Sequence, residues 1–305
     1  MSVLHEIDPF CSSDMHCDPL QTIIIPRTGD IGNFEVHRAL PSSEKRMVGP
    51  FIFWDQMGPG EFLTHQGVDV RPHPHIGLST VTYLFSGSLD HKDSLGFQQR
   101  IMPGDVNVMR AGRGIVHSER TGADVRQSPS ELFGIQSWLA LPKGQEESAP
   151  DFVHTDKTAL PEFEYAGVSA RLIMGGLWGK KSPVETLCDT LYVDVQLEAG
   201  ASFELPLETE ERAVYPMGGR VEIGGQIFDS MNLLVFHPGV PAVVKALEPV
   251  RLMVLGGAAM DGPRHIWWNF VSSDKDRIEQ AKEDWRAGRF DKVAGDDEFI
   301  PLPEK

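Results

Sequence analysis

At 305 residues the chain exceeds the usual length of one domain, so two domains of ordinary size are expected, each able to bury a core. Hydrophobic (41%) and charged (24%) fractions match ordinary globular chains and exclude a largely disordered one. The 28 Lys and Arg against 44 Asp and Glu leave a net charge of -16, a field that repels phosphate backbones, which disfavours direct nucleic-acid binding and leaves a protein partner open.

Residues 1–20 mix Cys, His, Asp, Ser and Pro without a hydrophobic period and are read as an irregular lead-in. They hold no basic region followed by an apolar stretch, and no window of the chain reaches the length of an apolar membrane span, so a cytoplasmic location without a membrane partner is expected. Cys11, Cys17 and Cys188 make an odd count that does not resemble a disulfide framework. Cys11, His16 and Cys17 also lack the spacing of a zinc clip.

From Thr22 to about Pro142, short apolar runs are broken by Gly and Pro, as in Val48-Gly49-Pro50-Phe51, the pattern of a β-sandwich or barrel. Ser79 to Phe85 alternates with period two, placing Val81, Tyr83 and Phe85 on one face and Thr80, Thr82 and Leu84 on the other. The turn Met102-Pro103-Gly104-Asp105 introduces a second strand, Val106 to Arg110. A first unit is therefore expected over 21–142 and a connection over 143–165, where Lys143 to Pro150 is polar and charged. A second all-β unit over 166–305 repeats the short-strand pattern. It ends in a helix over about 274–288, capped by Ser273, with Asp274 and Asp276 in the first turn and Gly288 at its close.

The stretch that carries chemistry is His73-Pro74-His75, followed far along the chain by His117-Ser118-Glu119. In an extended strand, residues i and i+2 share a face, so each segment offers a pair of side chains, and two facing strands in a barrel would bring the pairs together. Pro74 and Pro72 push their preceding residues toward extended backbone, which argues against a helix here. Three imidazoles and a carboxylate suit one divalent transition metal, iron, manganese, nickel, cobalt, copper or zinc. In an octahedral preference, four protein ligands leave two positions for substrate or water.

At these residues the sequence resembles the pirin family, a branch of the cupins. The resemblance is carried by Val48-Gly49-Pro50-Phe51, Met57-Gly58-Pro59, His73-Pro74-His75-Ile76-Gly77, Thr80 to Leu84, Met102 to Asp105, Ala111 to Glu119, and Asp284 to Phe290. It implies a bicupin, two tandem jelly-roll β-barrels. Its N-terminal barrel would hold a non-haem metal, usually iron(II), through His73, His75, His117 and Glu119, and its C-terminal barrel would be metal-free. It also implies one of two roles: oxidation of quercetin or a related small aromatic enol, or transcriptional coregulation through a protein partner. For the first role, Glu119 is the ligand able to double as a catalytic base, accepting the enol proton if it loosens from the metal.

The chain departs from the family pattern at Ser79, where pirins usually carry Glu; this implies altered hydrogen bonding around the metal. His91 reads as a solvated hairpin histidine, His237 as structural, and Trp267 and Trp268 as core or interdomain anchors.

Overall fold

The structure, a computed structural model, describes residues 18–31 and 34–304. Cys11, His16 and Cys17 lie outside the described residues.

The fold is a bicupin, two β-barrels each made of a seven-stranded and a four-stranded antiparallel sheet. In the first barrel the larger sheet runs in the order Asp151–Thr155, Val106–Arg110, Leu78–Ser86, Ser130–Ala140, Phe51–Phe62, Glu35–Leu40, Arg27–Asp30. Its smaller sheet runs Asp69–His75, Ile115–Arg120, Leu89–Asp93, Gln98–Ile101. The second barrel repeats this plan around Thr190–Leu197 and Val250–Gly257. Strand memberships cross the order of the chain. Leu20–Ile24 adds to the second barrel's sheet beside Leu233–Phe236, and Asp151–Thr155, within the expected connection, completes the first barrel's sheet beside Val106–Arg110.

The period-two pattern of Leu78–Ser86 divides two cores. Val81 and Tyr83 point outward from the first barrel and join Phe51, Trp54 and Ile135 against Tyr192, Tyr215, Leu233 and Met253 of the second, so the two large sheets pack face to face. Leu78 and Leu84 point inward, into the first barrel's own apolar clusters. At roughly 1.5–3 kcal/mol for each large apolar side chain taken from water, this shared layer fixes one barrel on the other. A buried polar link crosses it: Tyr83 Oη donates to Asp194 Oδ2 at 2.9 Å, and Arg251 Nε donates to Asp194 Oδ1 at 3.0 Å.

Beyond the second barrel the chain returns to the first. Phe270 bridges Ile76, and the amide of Val271 donates to the Ile76 carbonyl at 3.1 Å. The α-helix spans Lys275–Arg286, burying Ile278 and Ala281. Its N-cap is Asp274, whose carboxylate accepts from the Asp276 amide, rather than Ser273; the Ser273 hydroxyl instead donates to Glu146. The terminal segment then crosses the first barrel, with the Ile300 amide donating to the Pro72 carbonyl at 2.8 Å and Arg120 paired with Asp296. Among the described residues, no helix is long and apolar enough to cross a membrane.

Candidate metal centre

The two segments singled out from the sequence lie on neighbouring strands of the first barrel's small sheet. Asp69–His75 pairs antiparallel with Ile115–Arg120, and His117 stands opposite His73. The register shifts between His117 and Glu119, which face His73 and Val70, so the partner strand carries one extra residue beside Pro72. Proline has no N–H to give the ladder, which is where such a bulge is tolerated. Pro74 sits inside the same strand, as the extended reading of the segment required.

The alternation brings three imidazoles together. Ring centroids are 4.9 Å apart for His73 and His75, 4.4 Å for His73 and His117, and 5.0 Å for His75 and His117. One ligand nitrogen from each lies within 4.8 Å of the others, a cluster able to hold a metal ion. Glu119 belongs to a second group that shares His117 and adds His91. Its Oε1 accepts from the Thr82 hydroxyl at 3.2 Å, and Gln136 supplies another hydrogen bond.

The partners of the rings settle their protons. His73 Nδ1 is 2.8 Å from the Arg71 carbonyl oxygen and His75 Nδ1 is 3.2 Å from that of Asn269. A carbonyl only accepts, so both rings carry the proton on Nδ1 and leave Nε2 as a lone pair. His75 Nε2 in turn lies 3.1 Å from His117 Nε2.

Burial pushes His73 down to about 4 and holds His75 and His117 well below the usual histidine range, with neighbouring histidines adding to the effect in His75 and His117. The three rings are neutral at pH 7, the form in which an imidazole can bind a metal. Burial also raises the pKa of Glu119, against the opposing influence of His91, Thr82 and Gln136. Three neutral imidazoles converging beside a desolvated carboxylate form a donor set that fits one divalent metal.

A cavity of about 490 Å³ opens beside His73, His75 and Glu119. Phe53 and Trp138 line it as a stacked pair, 3.9 Å between centroids, and the Arg38 guanidinium lies over Phe53 while holding Asp55 through two hydrogen bonds. Trp268, Asn269 and Ile300 complete the wall from the C-terminal part of the chain.

Two expectations are corrected. His91 is not a solvated hairpin residue: it is buried, stacked on Phe152 at 4.3 Å, and bonded to Asp93. Phe152 comes from the strand that completes the sheet, which local sequence around His91 does not reveal. Ser79 does not adjoin the histidine cluster. Its side chain points with Val81 and Tyr83 to the opposite face of the strand, into a separate crevice lined also by Val108, Met174 and Cys188. Of the two tryptophans, Trp267 stacks with Phe270, while Trp268 also lines the metal-side cavity, a role beyond anchoring. Sequence reading gave no sign of Asn269 or Ile300, because one acts through a backbone carbonyl and the other lies in the terminal segment.

Residues 33–139 match the family described as Pirin, and residues 192–291 match the Pirin C-terminal cupin domain. A pirin-like protein of Caulobacter vibrioides is 51% identical over 282 residues, covering 91% of this chain and 97% of the relative. The Pirin of Rattus norvegicus is 29% identical over 262 residues, covering 82% and 86%. The crystal structure of a quercetin 2,3-dioxygenase from Acinetobacter baumannii superposes with a TM-score of 0.83 at 32% identity, covering 93% of this chain and 96% of that one.

Proposed function

The chain belongs to the pirin family, and on that premise we propose that it is a metal-dependent dioxygenase acting on quercetin or a related aromatic enol, with His73, His75, His117 and Glu119 holding one iron(II) ion. The observation that carries this reading is the convergence of three buried, neutral imidazoles, with His75 Nε2 3.1 Å from His117 Nε2, beside an aromatic-walled cavity. The likeness to a quercetin 2,3-dioxygenase over nearly the whole chain supports the substrate class.

Bound iron supplies Lewis acidity toward an enol oxygen and one-electron chemistry toward dioxygen. The chain's own residues do the rest. Phe53, Trp138 and Trp268 offer flat apolar surface for an aromatic ring system, and a cavity of about 490 Å³ falls in the range that encloses a small ligand. Glu119 faces that cavity, and when it loosens from the metal its buried carboxylate, whose pKa burial raises, is suited to accept the enol proton. Thr82 and Gln136 hold the carboxylate in place for that transfer. Trp268 and Ile300 wall one side of the cavity.

The test is to load purified protein separately with iron(II), manganese, nickel, cobalt and copper, then follow quercetin absorbance together with oxygen uptake. With iron, loss of quercetin absorbance coupled to oxygen consumption is expected. Absence of turnover with every metal defeats the proposal.

A further inference from the structure

The three histidines of the cluster are oriented by different means. His73 and His75 each give an Nδ1 proton to a backbone carbonyl, whereas His117 faces a side chain, with its Nδ1 3.4 Å from Nδ1 of His91. His91 Nε2 lies 2.9 Å from Asp93 Oδ2. Asp93 is itself fixed, its Oδ1 accepting from the amides of Leu95 at 2.9 Å and Phe97 at 3.0 Å. The pairing of Leu89–Asp93 with Ile115–Arg120 sets this up, placing Asp93 opposite His117 and His91 opposite Glu119. All three members of the chain are buried, and the His91 ring lies nearly parallel to Phe152, at 16°.

We propose that Asp93 and His91 are positioning residues that lock His117 in the tautomer with its proton on Nδ1, so that Nε2 is presented to the metal cluster as a lone pair. With the Asp93 carboxylate accepting from His91, the His91 proton lies on Nε2 and its Nδ1 is left as an acceptor. The contact between the two Nδ1 atoms is then a hydrogen bond only if His117 donates. The other ionisable groups facing His91 are His73 and Glu119, and the Glu119 Oε1 is engaged by Thr82. Such outer partners fix ring orientation and raise ligand basicity. This inference builds on the reading of the cluster as a metal site, yet the tautomer it assigns exists without metal and without turnover.

Asp93→Asn tests it with little change of shape. The amide can keep its oxygen on the Leu95 and Phe97 amides while its NH₂ group meets His91 Nε2. His91 must then carry its proton on Nδ1, and His117 is driven to the opposite tautomer. In ¹⁵N spectra of metal-free protein, His117 is expected as the Nδ1–H form in the wild type and the Nε2–H form in the variant. Zinc(II) affinity, measured by chelator competition, is expected to fall about 10- to 100-fold. His91→Phe retains a ring against Phe152 but removes the acceptor, and is expected to lower zinc affinity in the same direction, which keeps the test decisive if Asp93→Asn fails to fold. A wild-type His117 protonated on Nε2, or zinc affinity within about twofold of wild type in each folded variant, overturns the proposal. Wild-type protein that takes up no zinc would defeat the metal reading and leave the tautomer spectra to decide this one.

Discussion

Acidification should destabilise the metal-free protein, and His73 allows the effect to be sized. Its ordinary value of 6.5 is pushed down to about 4, first by burial. Above pH 6.5 the ring is neutral in both folded and unfolded states, and its contribution to stability is at its maximum. Between 6.5 and about 4 the unfolded chain binds a proton that the folded chain refuses, so stability falls as pH falls. At ~1.4 kcal/mol per pH unit the loss from this ring is on the order of 3 kcal/mol, complete once the pH is below about 4. His75 and His117 act in the same direction, and Glu119, with its raised pKa, acts in the opposite one. The informative comparison is therefore between metal-stripped wild type and His73→Gln, unfolded in urea from about pH 7 to about pH 4.5. The wild-type stability should fall more steeply, by roughly 2–3 kcal/mol across that range. Parallel pH curves for the two proteins would refute the assignment of His73 as a buried neutral ring.

Three further substitutions probe the frame around the centre. Gly77 has φ of +67°, and a methyl group there would overlap the carbonyl oxygen of Val271, so Gly77→Ala should lower unfolding stability by about 3 kcal/mol, read by chemical denaturation. Tyr83→Phe removes a donor from the buried Asp194 carboxylate and should cost about 1.5–3 kcal/mol while leaving metal content unchanged, measured by denaturation and elemental analysis together. Ser79→Glu restores the residue usual in the family, but this position faces the crevice away from the cluster and pairs across the sheet with Arg110. Elemental analysis of this variant should match wild type, and metal loss would contradict the strand orientation described here.

The candidate metal-binding segments were legible because period-two alternation is a strong local rule: His73 and His75, like His117 and Glu119, had to share a side of an extended strand. The same rule already placed Ser79 with Val81 and Tyr83, away from Thr82, and the expectation of altered bonding at the metal overlooked that parity. His91 was misjudged for a different reason. Its neighbours Asp90, Lys92 and Asp93 are charged and suggest a solvated hairpin, whereas its burial is imposed by Phe152, distant in sequence. Sheet closure by Asp151–Thr155, the Asn269 carbonyl on His75 and the return of Ile300 over the cavity all depend on long-range pairing, which no local pattern encodes. The helix was readable to within a residue at its start because Asp274 and Ser273 are both competent caps, and Ser273 was drawn to Glu146 instead.

The most direct test of the central claim is the metal content of protein purified without added metal, compared with a His73→Ala, His117→Ala double variant checked to be folded. Elemental analysis should find close to one transition-metal ion per wild-type chain and almost none in the variant. Equal metal in the two proteins, or none in the wild type even after incubation with iron(II), would contradict a centre built on these histidines.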